Sequence, residues 1–168
     1  MQTFEVGIIG GGPGGYVTAL RLHQYGINTI LFEKERLGGV CLNWGCIPTK
    51  AMVRAADLFA EICRAEEFGI VTSSPRLDYT KFLEHRQQVV ESLVTGIEFL
   101  FRKKKITLVK EEVKKISRVD DHYRININGN EFNMQYLVLA TGSEPKALAN
   151  IQPDGHHVLT SRDLLDLK

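Results

Sequence analysis

The sequence predicts an α/β fold in which helices cover a parallel sheet and a small antiparallel β-meander is inserted. An apolar run, a glycine-rich turn, a helical pattern and a second apolar run follow one another within about 30 residues, which is typical of a parallel βαβ unit. From Ile106 onward the apolar residues alternate with period two, as in half-buried strands. These two observations separate the parallel part of the fold from the meander.

The βαβ unit opens the chain. Residues 3–9 are predicted to form a buried strand, and a glycine-rich turn over residues 10–15 precedes a helix that Gly26 ends. The second strand is predicted over Thr29–Phe32, and Glu33 follows directly at its carboxyl end.

Two helices are predicted after this unit. Apolar residues recur at helical spacing from about Pro48 or Thr49 to Ala65, and Cys63 lies on the apolar side, where we expect a small buried side chain. A longer helix is predicted from about Tyr79 to Lys104.

The remaining segment is expected to form the meander and return to the sheet. Strands are predicted over residues 106–109, 113–116, 123–127 and 131–134. Asp120-Asp121 and Asn128-Gly129-Asn130 supply hairpin turns, and Tyr136–Ala140 resembles a buried parallel strand. Ser161 is expected to cap a last helix.

The net charge and the length of the apolar segments argue against several classes of protein. Lys and Arg number 21 against 20 Asp and Glu, so the net charge of +1 gives no reason to expect nucleic acid or an anionic membrane surface. No secretion signal is visible, and no apolar run approaches the ~20 residues that span a bilayer. We therefore expect a cytoplasmic protein, in which a disulfide is more often catalytic than structural.

Gly10, Gly12 and Gly15 stand in G-x-G-x-x-G spacing between a predicted strand and helix. Gly10 permits the tight turn, Gly12 lets the backbone approach a pyrophosphate, and Gly15 allows close helix packing. Glu33, at the end of the next strand, can accept hydrogen bonds from ribose hydroxyls. The pattern predicts a Rossmann-like dinucleotide site, and an ordinary glycine-rich turn is the alternative.

Cys41 and Cys46 are separated by four residues near the start of a predicted helix. The helix amino terminus and a nearby Lys50 stabilise thiolate, so a dithiol that cycles with a disulfide is the expected chemistry. Zinc is the alternative, but it requires three or four ligands, and His156-His157 is a lone loop dipeptide. We therefore predict no metal site.

Together these motifs resemble the FAD-dependent pyridine-nucleotide disulfide oxidoreductases over the whole chain. Residues 10–15 are similar to the FAD fingerprint of that family, the cysteine pair to its redox disulfide, and Ala140-Thr141-Gly142-Ser143 to its second flavin motif. Leu42–Lys50 is most similar to the members that oxidise dihydrolipoamide, because glutathione and mercuric reductases more usually show Val-Asn-Val-Gly-Cys-Val-Pro there.

The resemblance implies which residues contact FAD. They are Gly10, Gly12, Pro13, Gly14, Gly15, Glu33, Lys34, Gly39, Val40, Cys41, Lys50, Val113, Ala140, Thr141, Gly142 and Ser143. Glu111 and Val113 depart from the glycine and small residue that relatives commonly have, and the adenine contact there is expected from backbone groups.

The resemblance also implies a reaction. Cys41 would exchange with the substrate, Cys46 would face the flavin, and Lys50 would lie beside the isoalloxazine. Dihydrolipoamide on a lipoyl carrier domain of a 2-oxoacid dehydrogenase or glycine cleavage complex would be oxidised, with electrons passing through the dithiol and FAD to NAD. The alternatives are a reductase for glutathione, mercuric ion or a coenzyme A disulfide, and a nucleotide-binding module without turnover.

Residues 1–168 are expected to be the amino-terminal segment of an FAD-binding domain within a longer, homodimeric protein. No second G-x-G-x-x-G follows Thr141, and no His-Pro segment followed by Glu, which the family uses as a base, is present in the sequence. We therefore expect the isolated chain to lack NAD-linked turnover.

Overall fold

The computed structural model describes residues 1–146 and 148–167, and the chain forms two compact units. The first unit comprises Met1–Cys41 and Leu93–Glu144, and the second comprises Leu42–Ser92 and Pro145–Lys168.

The first unit is built on a six-stranded sheet of order β3-β2-β1-β6-β5-β4. Its strands are β1 (Gln2–Ile9), β2 (Thr29–Phe32), β3 (Thr107–Val109), β4 (Ile116–Val119), β5 (His122–Ile127) and β6 (Asn130–Leu139). Strand β1 pairs in parallel with β2 and β6, and β3 pairs in parallel with β2. Strands β4, β5 and β6 pair antiparallel. The predicted α/β class, with a parallel sheet and an antiparallel part, is confirmed.

Helix α1 (Pro13–Gln24) connects β1 to β2 and packs on the sheet through its small residues. Pro13 stands at the first helical position, where its missing N–H leaves no donor unsatisfied, and Gly26 follows with a φ of 77°. Ala19 is fully buried in a cluster with Ile8 and Leu31. The amino-terminal βαβ unit is therefore confirmed, and it carries the loop over residues 10–15 at the carboxyl end of β1.

All four residues of β2 are buried, which identifies it as a strand with both faces covered. Ile30 and Phe32 belong to a cluster with the hairpin residue Ile125, whereas Leu31 belongs to the cluster of α1 on the other face.

The remaining helices are α2 (Gly39–Trp44), α3 (Cys46–Cys63), α4 (Tyr79–Lys104) and α5 (Ser161–Asp166), with a 3-10 turn at Ala65–Phe68. The bounds predicted for α4 are confirmed. The helix that follows the cysteines begins at Cys46, so its predicted start at Pro48 or Thr49 is wrong. Helix α2 was not predicted. No helix among the described residues is both long and apolar enough to cross a membrane.

The meander prediction needs three corrections. The run over residues 106–109 is not part of the meander, because β3 pairs in parallel with β2. The strand predicted over 113–116 begins only at Ile116. The two strands predicted over 131–134 and 136–140 are one strand, β6, in which Tyr136 and Leu139 are exposed rather than buried.

Two side-chain predictions are also wrong. Cys63 is exposed, as is most of α3, in which only Pro48 is buried among the described residues. The cap of α5 is Thr160 instead of Ser161. Thr160 Oγ1 accepts from the Asp163 N–H at 3.2 Å, and the Asp163 carboxylate accepts from the Thr160 N–H at 2.7 Å. Both hairpin turns are confirmed, with positive φ at Asp120, Asn128 and Gly129.

Candidate functional site

Two glycines of the loop over residues 10–15 are required by the fold itself. Gly10 has a φ of 102°, and a Cβ there would lie 2.1 Å from the carbonyl oxygen of Ala140. A Cβ on Gly15 would lie 1.7 Å from the carbonyl oxygen of Gly10. Because the obstacles are backbone atoms, no side chain can move aside to make room. These positions hold the turn against β6 and α1.

Gly12 and Gly14 differ from these two glycines. Gly12 has an ordinary extended conformation, with φ −68° and ψ −176°, and a Cβ there would meet nothing closer than the Gly39 Cα at 3.7 Å. A Cβ on Gly14 would meet the Ala140 Cβ at 3.7 Å, also an ordinary contact. The fold therefore has room for a Cβ at both positions, so packing of a Cβ does not explain why glycine stands there.

The amino terminus of α1 lies at Gly12 and is suited to an anion. No side chain among the described residues caps it, and its first turn contains no acidic residue. Backbone N–H groups at such a terminus, together with the helix dipole, favour negative charge. A bare backbone at Gly12 lets a phosphate approach closely, so the loop has the form of a diphosphate cradle.

Glu33 is fixed beside this cradle by two backbone donors. Its Oε2 accepts from the Gly11 N–H at 2.6 Å, and its Oε1 accepts from the Glu35 N–H at 2.7 Å. Each carboxylate oxygen retains a second lone pair that can accept a hydrogen bond from a hydroxyl group. The carboxylate is therefore oriented before any ligand binds. The sequence indicated a ribose acceptor at Glu33, but not its bond to Gly11.

Two further segments meet the glycine loop. The Gly38 N–H donates to the Gly11 carbonyl at 2.8 Å, and Gly39, with a φ of 58°, packs so closely that a Cβ there would lie 2.7 Å from the Gly12 Cα. The Ala140 N–H donates to the Ile9 carbonyl at 2.8 Å. The loop, the start of α2 and the end of β6 thus converge at the carboxyl ends of the parallel strands.

Most of the other predicted cofactor residues are exposed. Outside the loop these are Lys34, Val40, Lys50, Thr141, Gly142 and Ser143, and within the loop Pro13 is exposed as well. Val113 is half-buried and packs on the cluster that contains Phe32. Lys50 belongs to the second unit and lies about one turn of α3 after Cys46.

Cys41 and Cys46 are disulfide-bonded, and Cys63 is a free thiol. Cys41 lies within α2, Cys46 is the first residue of α3, and Gly45 between the two helices is the cap of α3. The predicted disulfide pairing is confirmed. Sequence reasoning missed Arg162, which contacts the segment between the two cysteines: its guanidinium carbon lies 3.8 Å from the centroid of the Trp44 ring. No local pattern links residues so distant in sequence.

Comparison with known proteins agrees with this geometry. Residues 4–168 match the family model described as pyridine nucleotide-disulphide oxidoreductase, so the chain belongs to that family.

Among its relatives are dihydrolipoyl dehydrogenases. That of Bacillus subtilis is 36% identical over 174 residues, with 98% of this chain and 37% of the relative covered. That of Zymomonas mobilis is 34% identical over 162 residues, with 94% of this chain and 34% of the relative covered. The chain thus spans about a third of the length of these curated relatives.

The crystal structure of LpdA from Mycobacterium tuberculosis is similar to this chain with a TM-score of 0.82 at 24% identity. The match covers 99% of this chain and 37% of that one. At this identity the likeness shows the fold.

Proposed function

We propose that residues 1–168 are the amino-terminal segment of an FAD-binding domain and the redox-disulfide portion of a dihydrolipoyl dehydrogenase. One observation carries the cofactor assignment. At Gly12 the fold leaves room for a Cβ, and the helix terminus there has no side-chain cap among the described residues and lies beside a preoriented carboxylate. A dinucleotide diphosphate explains why that position is bare.

The residues present fit FAD. The amides of the glycine loop would hold the diphosphate and Glu33 the adenosine ribose. Val113 would line the adenine. Lys34, Gly39, Val40, Lys50 and residues 140–143 would complete the contacts, as the family resemblance implies. When bound, FAD supplies an acceptor for a pair of electrons.

The chemistry proposed for this chain's own residues is thiol–disulfide exchange. A thiolate of dihydrolipoamide attacks the sulfur of Cys41, a mixed disulfide forms, and Cys46 leaves as thiolate. The second substrate thiolate then displaces Cys41 and closes the lipoamide disulfide. The substrate has lost two electrons, and the two cysteines have gained them as a dithiol. We propose that NAD is the final acceptor in the whole protein.

The partners are part of the proposal, and they rest on the family resemblance. The substrate would be a lipoyl group on a carrier domain of a 2-oxoacid dehydrogenase or glycine cleavage complex, and the whole protein would be a cytoplasmic homodimer. Lipoamide turnover by the whole protein distinguishes this proposal from a reductase for glutathione, mercuric ion or a coenzyme A disulfide.

The flavin content of Gly12→Val tests the cofactor assignment. Two β-branch methyl groups at Gly12 would block backbone approach to the diphosphate, so we expect the purified protein to lose its bound flavin and yellow colour. Gly96→Val is the matched control, because Gly96 is an exposed position of α4 where an added Cβ would meet no described residue outside its own helix backbone within 4 Å. Full flavin in Gly12→Val would overturn the assignment.

A further inference from the structure

The loop between the paired cysteines carries a contact that the proposed chemistry does not use. Trp44 is the last residue of α2, and the Arg162 guanidinium stacks on its ring with 3.8 Å between the guanidinium carbon and the ring centroid. Indole is the most favourable ring for a cation–π contact, and the planar guanidinium can stack on its face. Both residues belong to the second unit.

Arg162 stands on an anchored helix. The reciprocal bonds of Thr160 and Asp163 cap the amino terminus of α5, and Arg86 of α4 donates to the carbonyl of Leu165, which is buried. Both ends of this short helix are therefore held. The guanidinium of Arg162 approaches Trp44 from a fixed support.

The position of Trp44 affects the geometry of the cysteine pair because the next residue, Gly45, can rotate easily. It separates α2 from α3 and, as glycine, resists rotation less than any other residue. Rotation about Gly45 changes how the sulfur of Cys46 faces that of Cys41. A side chain that immobilises Trp44 therefore limits the motion that would separate the two thiols.

We propose that Arg162 is a positioning residue that holds the loop between Cys41 and Cys46 through its stack on Trp44. The inference rests on the redox function proposed for the cysteine pair. Because the held loop keeps the two thiols close in the reduced protein, it raises their effective concentration and favours the disulfide. Releasing Trp44 makes the disulfide easier to reduce.

The equilibrium with dithiothreitol measures this effect. Reduced dithiothreitol gives two electrons and two protons to the Cys41–Cys46 disulfide and becomes its own cyclic disulfide. A lost cation–π contact at an exposed site corresponds to about a two- to fivefold change in an equilibrium constant. We expect Arg162→Met to shift this equilibrium toward the dithiol by about threefold, and Arg162→Lys to shift it less.

Two controls isolate the contact. Arg54→Met removes a charge from α3 where the partner is Glu61 rather than an aromatic ring, and it should leave the equilibrium unchanged. In the Trp44→Leu background, Arg162→Met should have no further effect, because the stack is already gone. Trp44 is the single tryptophan of the chain, so acrylamide quenching of its fluorescence should rise in Arg162→Met.

The outcomes separate the two proposals. If the unmodified protein reaches no reversible equilibrium with dithiothreitol, the proposed redox function fails and this inference fails with it. If it does, but Arg162→Met matches Arg54→Met or shifts toward the disulfide, only the role of Arg162 is overturned. A shift toward the dithiol that Arg162→Lys partly restores supports it.

Discussion

The glycine loop of the first unit and helix α3 of the second unit, which begins at Cys46, are organised differently. The loop rests on strands whose central residues, such as Ile8 and Ile30, are fully buried, and backbone contacts fix its turn. In α3, which begins at Cys46, Pro48 is the one buried residue among those described. The proposed cofactor cradle thus rests on the core, whereas α3 buries little of its own surface.

The largest effect is expected at Gly15. An added Cβ would lie 1.7 Å from the Gly10 carbonyl oxygen, so Gly15→Ala must displace backbone. We expect a loss of about 3 kcal/mol or more in the free energy of unfolding, measured by urea denaturation. Gly96→Ala, in an open position of α4, should instead gain up to about 1 kcal/mol. Equal stability of the two variants would contradict the close packing of the loop.

The disulfide is expected to contribute the next largest effect. Closing the short loop between Cys41 and Cys46 removes unfolded-state entropy worth about 2 kcal/mol, so the oxidised protein should unfold at higher urea than the reduced protein. Cys63→Ser should leave this difference unchanged, because Cys63 is free. Mass spectrometry after alkylation should count one thiol in the oxidised chain and three in the reduced chain. A bridge to Cys63 would refute the pairing.

Glu33 offers a smaller test of the cradle. Glu33→Ala leaves the buried N–H of Gly11 without its carboxylate partner, which should cost about 1–3 kcal/mol of unfolding free energy. Glu111→Ala is the matched control, since Glu111 accepts an exposed bond from Asn128. Glu33 would have no part in organising the loop if both variants unfolded at the same urea concentration.

The smallest expected effect is a pH-dependent change in the stability of the loop after Ile151. Backbone N–H groups of Val158, His156 and His157 lower the pKa of Asp154 from 3.8 to about 2. Because the folded pKa is depressed, the loop's stabilisation is complete above pH 3.8 and is lost as the pH falls through about 2. The Asp154 carboxyl carbon should titrate near that value by NMR. A midpoint of 3.8 would show that these three bonds do not persist in solution.

The sequence predicted long or chemically distinctive elements well. Helix α4 spans 26 residues, enough for its apolar period to define both ends. The turn at Asn128-Gly129 requires two residues with positive φ, which Asn and Gly tolerate best. Gly10 and Gly15 could be predicted because the tight turn and the close helix packing at these positions both require glycine.

The missed elements are short or set by distant partners. Helix α2 has six residues, fewer than two turns, so no period is measurable. Strand β3 has three residues, and its alternation does not reveal whether its neighbour is parallel. Its pairing with β2 follows a long crossover through α4, which a local pattern does not encode. The stack of Arg162 on Trp44 was invisible for the same reason.

The Gly12→Ala variant tests the central claim most directly, because stability and FAD affinity can be measured on the same protein. Gly12 has an ordinary φ and room for a Cβ, so we expect the unfolding free energy to change by no more than about 0.5 kcal/mol. FAD affinity should fall by about tenfold or more, because the added methyl group stands where the diphosphate approaches. Stability and affinity falling together, or unchanged affinity, would contradict the claim that Gly12 is bare for a ligand.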